Sequence, residues 1–174
     1  QELVCMVIDI DYGGQHKRES PYRTKEEALA ASETLPRPTA LIHSGGGLQL
    51  VYRFRNRISG HEGKEKYKTL SKTLGSQVYA DACQGIGHVF RTPFTKNCKN
   101  MDLIRDVEIL EMNPEVDYTL TELEEYCHAH NFKLPSSGQQ KHKSISVKKA
   151  RQKKQPGDRD NSRDAFLFID NFLR

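Results

Sequence analysis

Leu3–Tyr12 reads LVCMVIDIDY, an apolar run of strand character that ends in two carboxylates. Side chains alternate across a strand, so Asp9 and Asp11 leave the same face, about 6.7 Å apart along it. Closely placed carboxylates are how a protein holds hard divalent cations. The counterpart stretch, Pro38–Phe54, reads PTALIHSGGGLQLVYRF: two β-type runs, Thr39–His43 and Leu48–Phe54, joined through Ser44-Gly45-Gly46-Gly47. Glycines there remove side chains and let backbone N–H groups approach an anion such as a triphosphate. On the second run Leu48, Leu50, Tyr52 and Phe54 share one face, while Gln49, Val51, Arg53 and Arg55 share the other. The reading is a hairpin with one packed face and one polar face, Gln49 and Arg53 aimed at substrate. His43, beside the turn, is a further candidate. A dinucleotide-binding loop would need GxGxxG opening a helix, and a Walker loop would need Gly-Lys-Ser/Thr; neither is present. Carboxylate-held metal beside a phosphate cradle points to nucleotidyl transfer.

Outside these stretches, 174 residues suffice for one domain with a real core and a short appendage. The formal charge of +4 is modest, but it is clustered: Lys141–Lys154, KHKSISVKKARQKK, holds seven Lys or Arg and no acid. Such clustering favours a polyanionic partner. Cys5, Cys83, Cys98 and Cys127 form no CxxC pair, which argues against a zinc knuckle and for a reducing compartment. No apolar segment approaches the ~20 residues that cross a bilayer, and no signal-peptide pattern opens the chain. The expectation is a cytoplasmic protein with no membrane partner. Its opening almost inside a strand leads us to expect residues upstream.

Along the chain, Gly13–Arg23 reads as a polar loop in which Gln15, His16, Lys17 and Arg18 follow the acids. Thr24 caps an expected helix over Lys25–Leu35, with Glu27 placed for a capping box. Gly60–Gly85 reads as two helices broken near Gly75, Val89–Arg91 as a short strand, Thr92–Lys99 as a donor-rich loop and Arg105–Met112 as a strand. Thr119–His130 reads as a helix. From Pro135 the composition turns polar and basic, giving a catalytic domain over 1–134, a flexible linker over 135–162 and an apolar C-terminal helix over 163–174.

Three ordered stretches resemble the archaeo-eukaryotic primase superfamily, and within it the primase-polymerases of plasmids, phages and other mobile elements. They are the strand ending Asp9-Ile10-Asp11, then Ser44-Gly45-Gly46-Gly47-Leu48-Gln49, then Asp81 followed by Arg91-Thr92-Pro93-Phe94-Thr95-Lys96-Asn97-Cys98-Lys99. The second is similar to that family's Ser-Gly-Gly-Gly-Leu-His and the third to its Arg-x-Pro-Gly-Thr-x-Asn-x-Lys. Two positions depart from the pattern: Gln49 stands for histidine, and Phe94 for glycine. An amide still hydrogen-bonds a phosphate oxygen but brings no positive charge.

The resemblance implies an α/β (α+β) fold, an RRM-like mixed or antiparallel sheet flanked by helices. It implies catalytic and metal-binding roles for Asp9, Asp11 and Asp81, with Mg²⁺ or Mn²⁺ as cofactor. Asp106 or Glu108 is the rival third ligand. Ser44, Gly45, Gly46, Gly47 and Gln49, with Arg91, Asn97 and Lys99, would bind the nucleotide. The partners implied are a DNA template and primer, nucleoside triphosphates, and a helicase or C-terminal domain of the same polypeptide. Two rival readings are a non-catalytic RRM-like nucleic-acid-binding module and a plasmid replication initiator nuclease using His128 and His130. RRM-type binding needs exposed aromatics on adjacent strands, which the core-facing Tyr52 and Phe54 argue against.

Overall fold

The computed structural model describes residues 2–13, 20–80, 89–99 and 101–134. Asp81, the loop residues Gln15 to Arg18, the expected linker and the expected C-terminal helix lie outside the described residues. In chain order the elements are β1 (Leu3–Asp11), α1 (Lys25–Ser32), β2 (Ala40–His43), β3 (Gly47–Ile58), α2 (Gly60–Gln77), β4 (Lys96–Asn97), β5 (Arg105–Asp106), β6 (Glu108–Met112) and α3 (Leu120–Ala129). β1, β3, β2 and β6 form a four-stranded antiparallel sheet in that order, and β4 pairs with β5 in a separate two-stranded ribbon. The α+β class read from the sequence holds.

Alternation along β1 sorts its side chains. Met6, Ile8 and Ile10 are buried against the layer that carries the helices. They meet Leu48, Leu50 and Tyr52 of β3, and beyond them Tyr67, Leu70 and Leu74 of α2. Each such side chain contributes about 1.5–3 kcal/mol when fully buried. The opposite face differs from its expected polar character: Cys5, Val7, Ala40, Ile42 and Val51 form a second, smaller core closed by Val107. On β3 that face carries the buried Gln49 before Val51, and beyond Val51 it turns outward with Arg53 and Arg55, which leave the packed area.

Helix boundaries follow local chemistry. The Thr24 hydroxyl accepts from Glu27 N and starts α1, which ends at Ser32 rather than Leu35. Leu35 N still reaches back to Ser32 O at 3.0 Å, but Pro36 disfavours helical backbone at the residue before it. α2 runs through Gly75 and ends at Gln77, and most of the span expected to form a second helix lies outside the described residues. Val78 N and Ala80 N both bond Gly75 O, so Gly75 lies in the closing turn of α2. At α3 a full capping box forms: Glu122 N donates to the Thr119 hydroxyl, and Thr119 N donates to Glu122 Oε2 at 2.6 Å. Caps of this kind are worth about 1 kcal/mol.

Two further expectations change. Val89–Arg91 is not a strand, and Arg105–Met112 is not one strand but two. Val107 breaks it: its side chain is buried, its N–H donates to Thr95 O and its carbonyl accepts from Phe94 N at 2.8 Å. The first half pairs with β4, the second with β2. Among the described residues no helix is long and apolar enough to cross a membrane.

Candidate active site

β1 delivers the acids. Once Cys5 and Val7 point into the smaller core, period-two alternation sends Asp9 and Asp11 out of the same face, one and two steps further along. In register, Asp9 lies opposite Gln49 and Asp11 opposite Gly47. A Cβ at Gly47 would stand 2.7 Å from Ile10 O and 3.1 Å from Asp11 Oδ1. The missing side chain is what lets β3 and the Asp11 carboxylate share that space. Asp9 Oδ1 is shut off from solvent.

The glycine turn is held from several sides. Ser44 N and the Ser44 hydroxyl both donate to Gly47 O, at 2.9 and 3.2 Å, and Tyr12 N donates to Gly46 O. Asn97 Nδ2 donates to Ser44 O at 3.0 Å, and Arg105 Nη1 to Gly45 O at 2.7 Å. All four carbonyls of Ser44 to Gly47 are thus engaged by protein donors. Among the described residues no acceptor meets the N–H groups of Gly45 and Gly46. Gly45 has φ +80°, and a Cβ there would lie 2.9 Å from Asn97 Cβ and 3.0 Å from Arg105 Cβ. The β4–β5 ribbon is therefore seated directly on the turn, and glycine is what permits the contact.

Between these parts lies an open cavity of about 260 Å³. Asp9 and Asp11 form one wall, and Ser44, Gly45 and Gly46 another. Arg91, Lys99 and Arg105 bring positive charge, with Asn97 and Leu103 completing the lining. Such a cavity pairs hard oxygen donors for cations with amides and cations for an anion. Among the described residues no group of three or more His, Cys, Asp or Glu side chains converges, so the acids come as a pair.

Of the residues singled out from sequence, Asp9, Asp11, Ser44, Gly45, Gly46, Arg91, Asn97 and Lys99 meet at this cavity. Gly47 stands behind them against Asp11. Gln49 is 3% exposed, between Asp9 on β1 and Ile42 on β2, and does not form the cavity wall. His43 pairs in register with Leu48 and so shares the helix-side face. Its Nε2 and the Tyr12 hydroxyl share a hydrogen bond at 2.5 Å, with the rings stacked at 6.0 Å. Burial first, then the charges of Lys25 and Arg105, hold its pKa below the usual histidine value despite Glu108.

Arg53 lies elsewhere too. Four residues beyond Gln49 is about 13 Å along a strand, and there its guanidinium donates to Pro114 O at 2.7 Å and faces Asp117 at 3.6 Å. Of the rival third acids, Asp106 is paired with Lys96 at 2.7 Å and Glu108 sits opposite His43; neither lines the cavity. His130 caps α3, donating to Tyr126 O and stacking on Tyr126 at 3.9 Å, and neither it nor His128 reaches the cavity. Tyr52 and Phe54 are core residues, 0% and 6% exposed. Sequence reasoning missed Arg105 and Leu103. The available signal was an arginine opening the β-type run that follows the donor-rich loop.

No protein family's sequence profile matches the chain, and no curated protein matches it. Its fold is similar to that of a solved primase-polymerase domain. One solved structure with this likeness is the AEP domain (PP-N190) of the cyanophage S-2L primase-polymerase, at TM-score 0.51 and 12% identity. The match covers 72% of this chain and 60% of that one, so the chain spans less than two thirds of its neighbour's length. At that identity the likeness is one of fold.

Proposed function

We propose that this chain carries out template-directed nucleotidyl transfer, as a DNA primase, a DNA polymerase or both. The carrying observation is the cavity itself: two carboxylates on one strand face, set against a glycine turn and three cations. The donor set fits divalent metals. Asp9 and Asp11 are hard oxygen ligands, and the missing side chain at Gly47 keeps the space beside Asp11 clear. They would hold Mg²⁺ or Mn²⁺, with Asp81 assigned as the third acid. When bound, the metal pair lowers the pKa of the attacking 3′-hydroxyl and offsets charge on the leaving pyrophosphate.

The other residues bind and orient. Gly45 and Gly46 N–H groups, with Arg91, Lys99 and Arg105, neutralise the triphosphate; Arg side chains suit this because their forked donors match phosphate oxygens. The Ser44 hydroxyl and the Asn97 amide act on the turn, not on the ligand, fixing the amides before a nucleotide arrives. Template and primer DNA are the macromolecular partners in this reading, and a helicase or C-terminal domain of the same polypeptide is the protein partner.

The test is primer synthesis or extension on single-stranded template with labelled nucleotides and Mn²⁺, comparing wild type with Asp9→Ala/Asp11→Ala. Product should appear with the wild type and fall at least about a thousandfold in the variant, roughly 4 kcal/mol of transition-state stabilisation. Absence of product from the wild-type chain under every metal and nucleotide condition would overturn the reading.

A further inference from the structure

The cavity beside the glycine turn contains a side chain that neither metal nor phosphate chemistry uses. Among the described residues that line it, Asp9 and Asp11 are carboxylates, Arg91, Lys99 and Arg105 are cations, and Ser44, Gly45, Gly46 and Asn97 are polar or bare. Leu103 is the apolar one. An exposed leucine on an open surface is ordinary. Set in a wall of charges, it offers a ligand the one surface there that gains by leaving water.

The ribbon fixes where that surface lies. Leu103 and Arg105 both line the cavity while Ile104 between them does not, and Arg105 is anchored by the 2.7 Å bond from its Nη1 to Gly45 O. Asn97, on the paired strand β4, holds Ser44 O at 3.0 Å. The segment carrying Leu103 is thus tied to the glycine turn at both strands of the ribbon. Leu103 remains 43% exposed, so a large part of it is open to be covered.

Chemistry divides the ligand between these walls. In the nucleotidyl-transfer reading the acids hold metal, and the cations with the Gly45 and Gly46 amides hold the triphosphate. What remains of a nucleoside triphosphate is a sugar and a base, whose C–H edges and ring face are uncharged and largely apolar. Laid on Leu103, they withdraw apolar surface from water, which a bare polyphosphate has no means to do. We propose that Leu103 is the contact for the nucleoside half of the nucleotide, the residue through which the cavity distinguishes a nucleoside triphosphate from inorganic polyphosphate. Such contact is non-directional and adds affinity without reading the base. The inference rests on the nucleotidyl-transfer reading for the identity of the ligand.

Isothermal titration calorimetry on the full chain, with Mn²⁺ and without template, tests it with two ligands, deoxyguanosine triphosphate and inorganic tripolyphosphate. Leu103→Ala should weaken the nucleotide about three- to tenfold, the worth of covering the exposed part of a leucine, and leave tripolyphosphate within about twofold of wild type. The tripolyphosphate arm reads whether the turn and its cations stay in place. Leu103→Met keeps an apolar side chain of similar volume and should bind both ligands as wild type does.

Equal weakening of both ligands in Leu103→Ala overturns the proposal, because Leu103 then serves only to hold the ribbon. Unchanged nucleotide affinity overturns it too, as does a Leu103→Met chain as weak as Leu103→Ala. The two readings separate cleanly. Leu103-dependent nucleotide affinity in a chain that yields no product sinks only the catalytic reading, whereas product formation with Leu103-independent affinity sinks only this contact.

Discussion

A methyl group at Gly47 would meet Ile10 O, backbone inside a paired strand that cannot yield, whereas one at Gly45 would meet side-chain carbons of Asn97 and Arg105. The two alanine variants should therefore fail differently. Gly47→Ala is expected to lose about 1–3 kcal/mol of stability, measured by urea unfolding, because overpacking a strand pair has no cheap relaxation. Gly45→Ala should cost about 1–2 kcal/mol for its φ of +80°. Its larger effect is to push the β4–β5 ribbon off the turn. A fluorescent nucleoside triphosphate should then bind about tenfold more weakly, one lost contact's worth at ~1.4 kcal/mol. Equal nucleotide affinity in Gly45→Ala and wild type would contradict the seating. The glycines were legible in sequence as a cradle, but their separate reasons were not, since a packing distance has no sequence signature.

At the level of elements, the end of β1 and the end of β2 are tied across β3 by the Tyr12 hydroxyl and His43 Nε2. Lys25 and Arg105 oppose protonation of His43, Glu108 favours it, and burial, the largest influence, opposes it. With its folded pKa below the unfolded value near 6.5, the unfolded chain takes up the proton first. Stability from this group is thus complete above about pH 6.5 and is lost as pH falls through the lower folded value. His43→Gln should flatten the melting-temperature profile below about pH 6.5 relative to wild type. Identical profiles would show that the tie does not titrate. Period-two patterning revealed both strands and the acid face, yet it could not place His43. Which face a residue joins depends on register, set here by Leu48 against His43, and on where the strand begins. Arg53 illustrates the same limit, since its face was read correctly and its distance along the strand was not weighed. The β4–β5 ribbon escaped altogether, because two-residue strands carry no period and Val107 interrupts the longer run.

For the whole molecule, the pairing of acids on one side of a cavity and cations on the other predicts linkage between metal and folding. Mn²⁺ at about 100 times its dissociation constant should stabilise the chain by about 2.7 kcal/mol, read as a rise in melting temperature. Asp9→Asn/Asp11→Asn should abolish that rise while keeping the metal-free melting temperature near wild type. An equal rise in both chains would place the metal elsewhere. The class of fold was readable from the first 110 residues because three short stretches fall in order. The third acid was not, because a lone aspartate in sequence looks alike whether it binds metal or faces water, and Asp81 lies outside the described residues. The register of β1 against β3 has one more consequence. Slipping β1 by a single residue would turn Met6, Ile8 and Ile10 outward and drive both aspartates in among Leu48 and Leu50. Burying two unpaired carboxylates there costs several kcal/mol each. The charges that equip the cavity also proofread the assembly of the sheet, making the misaligned pairing the one the chain can least sustain.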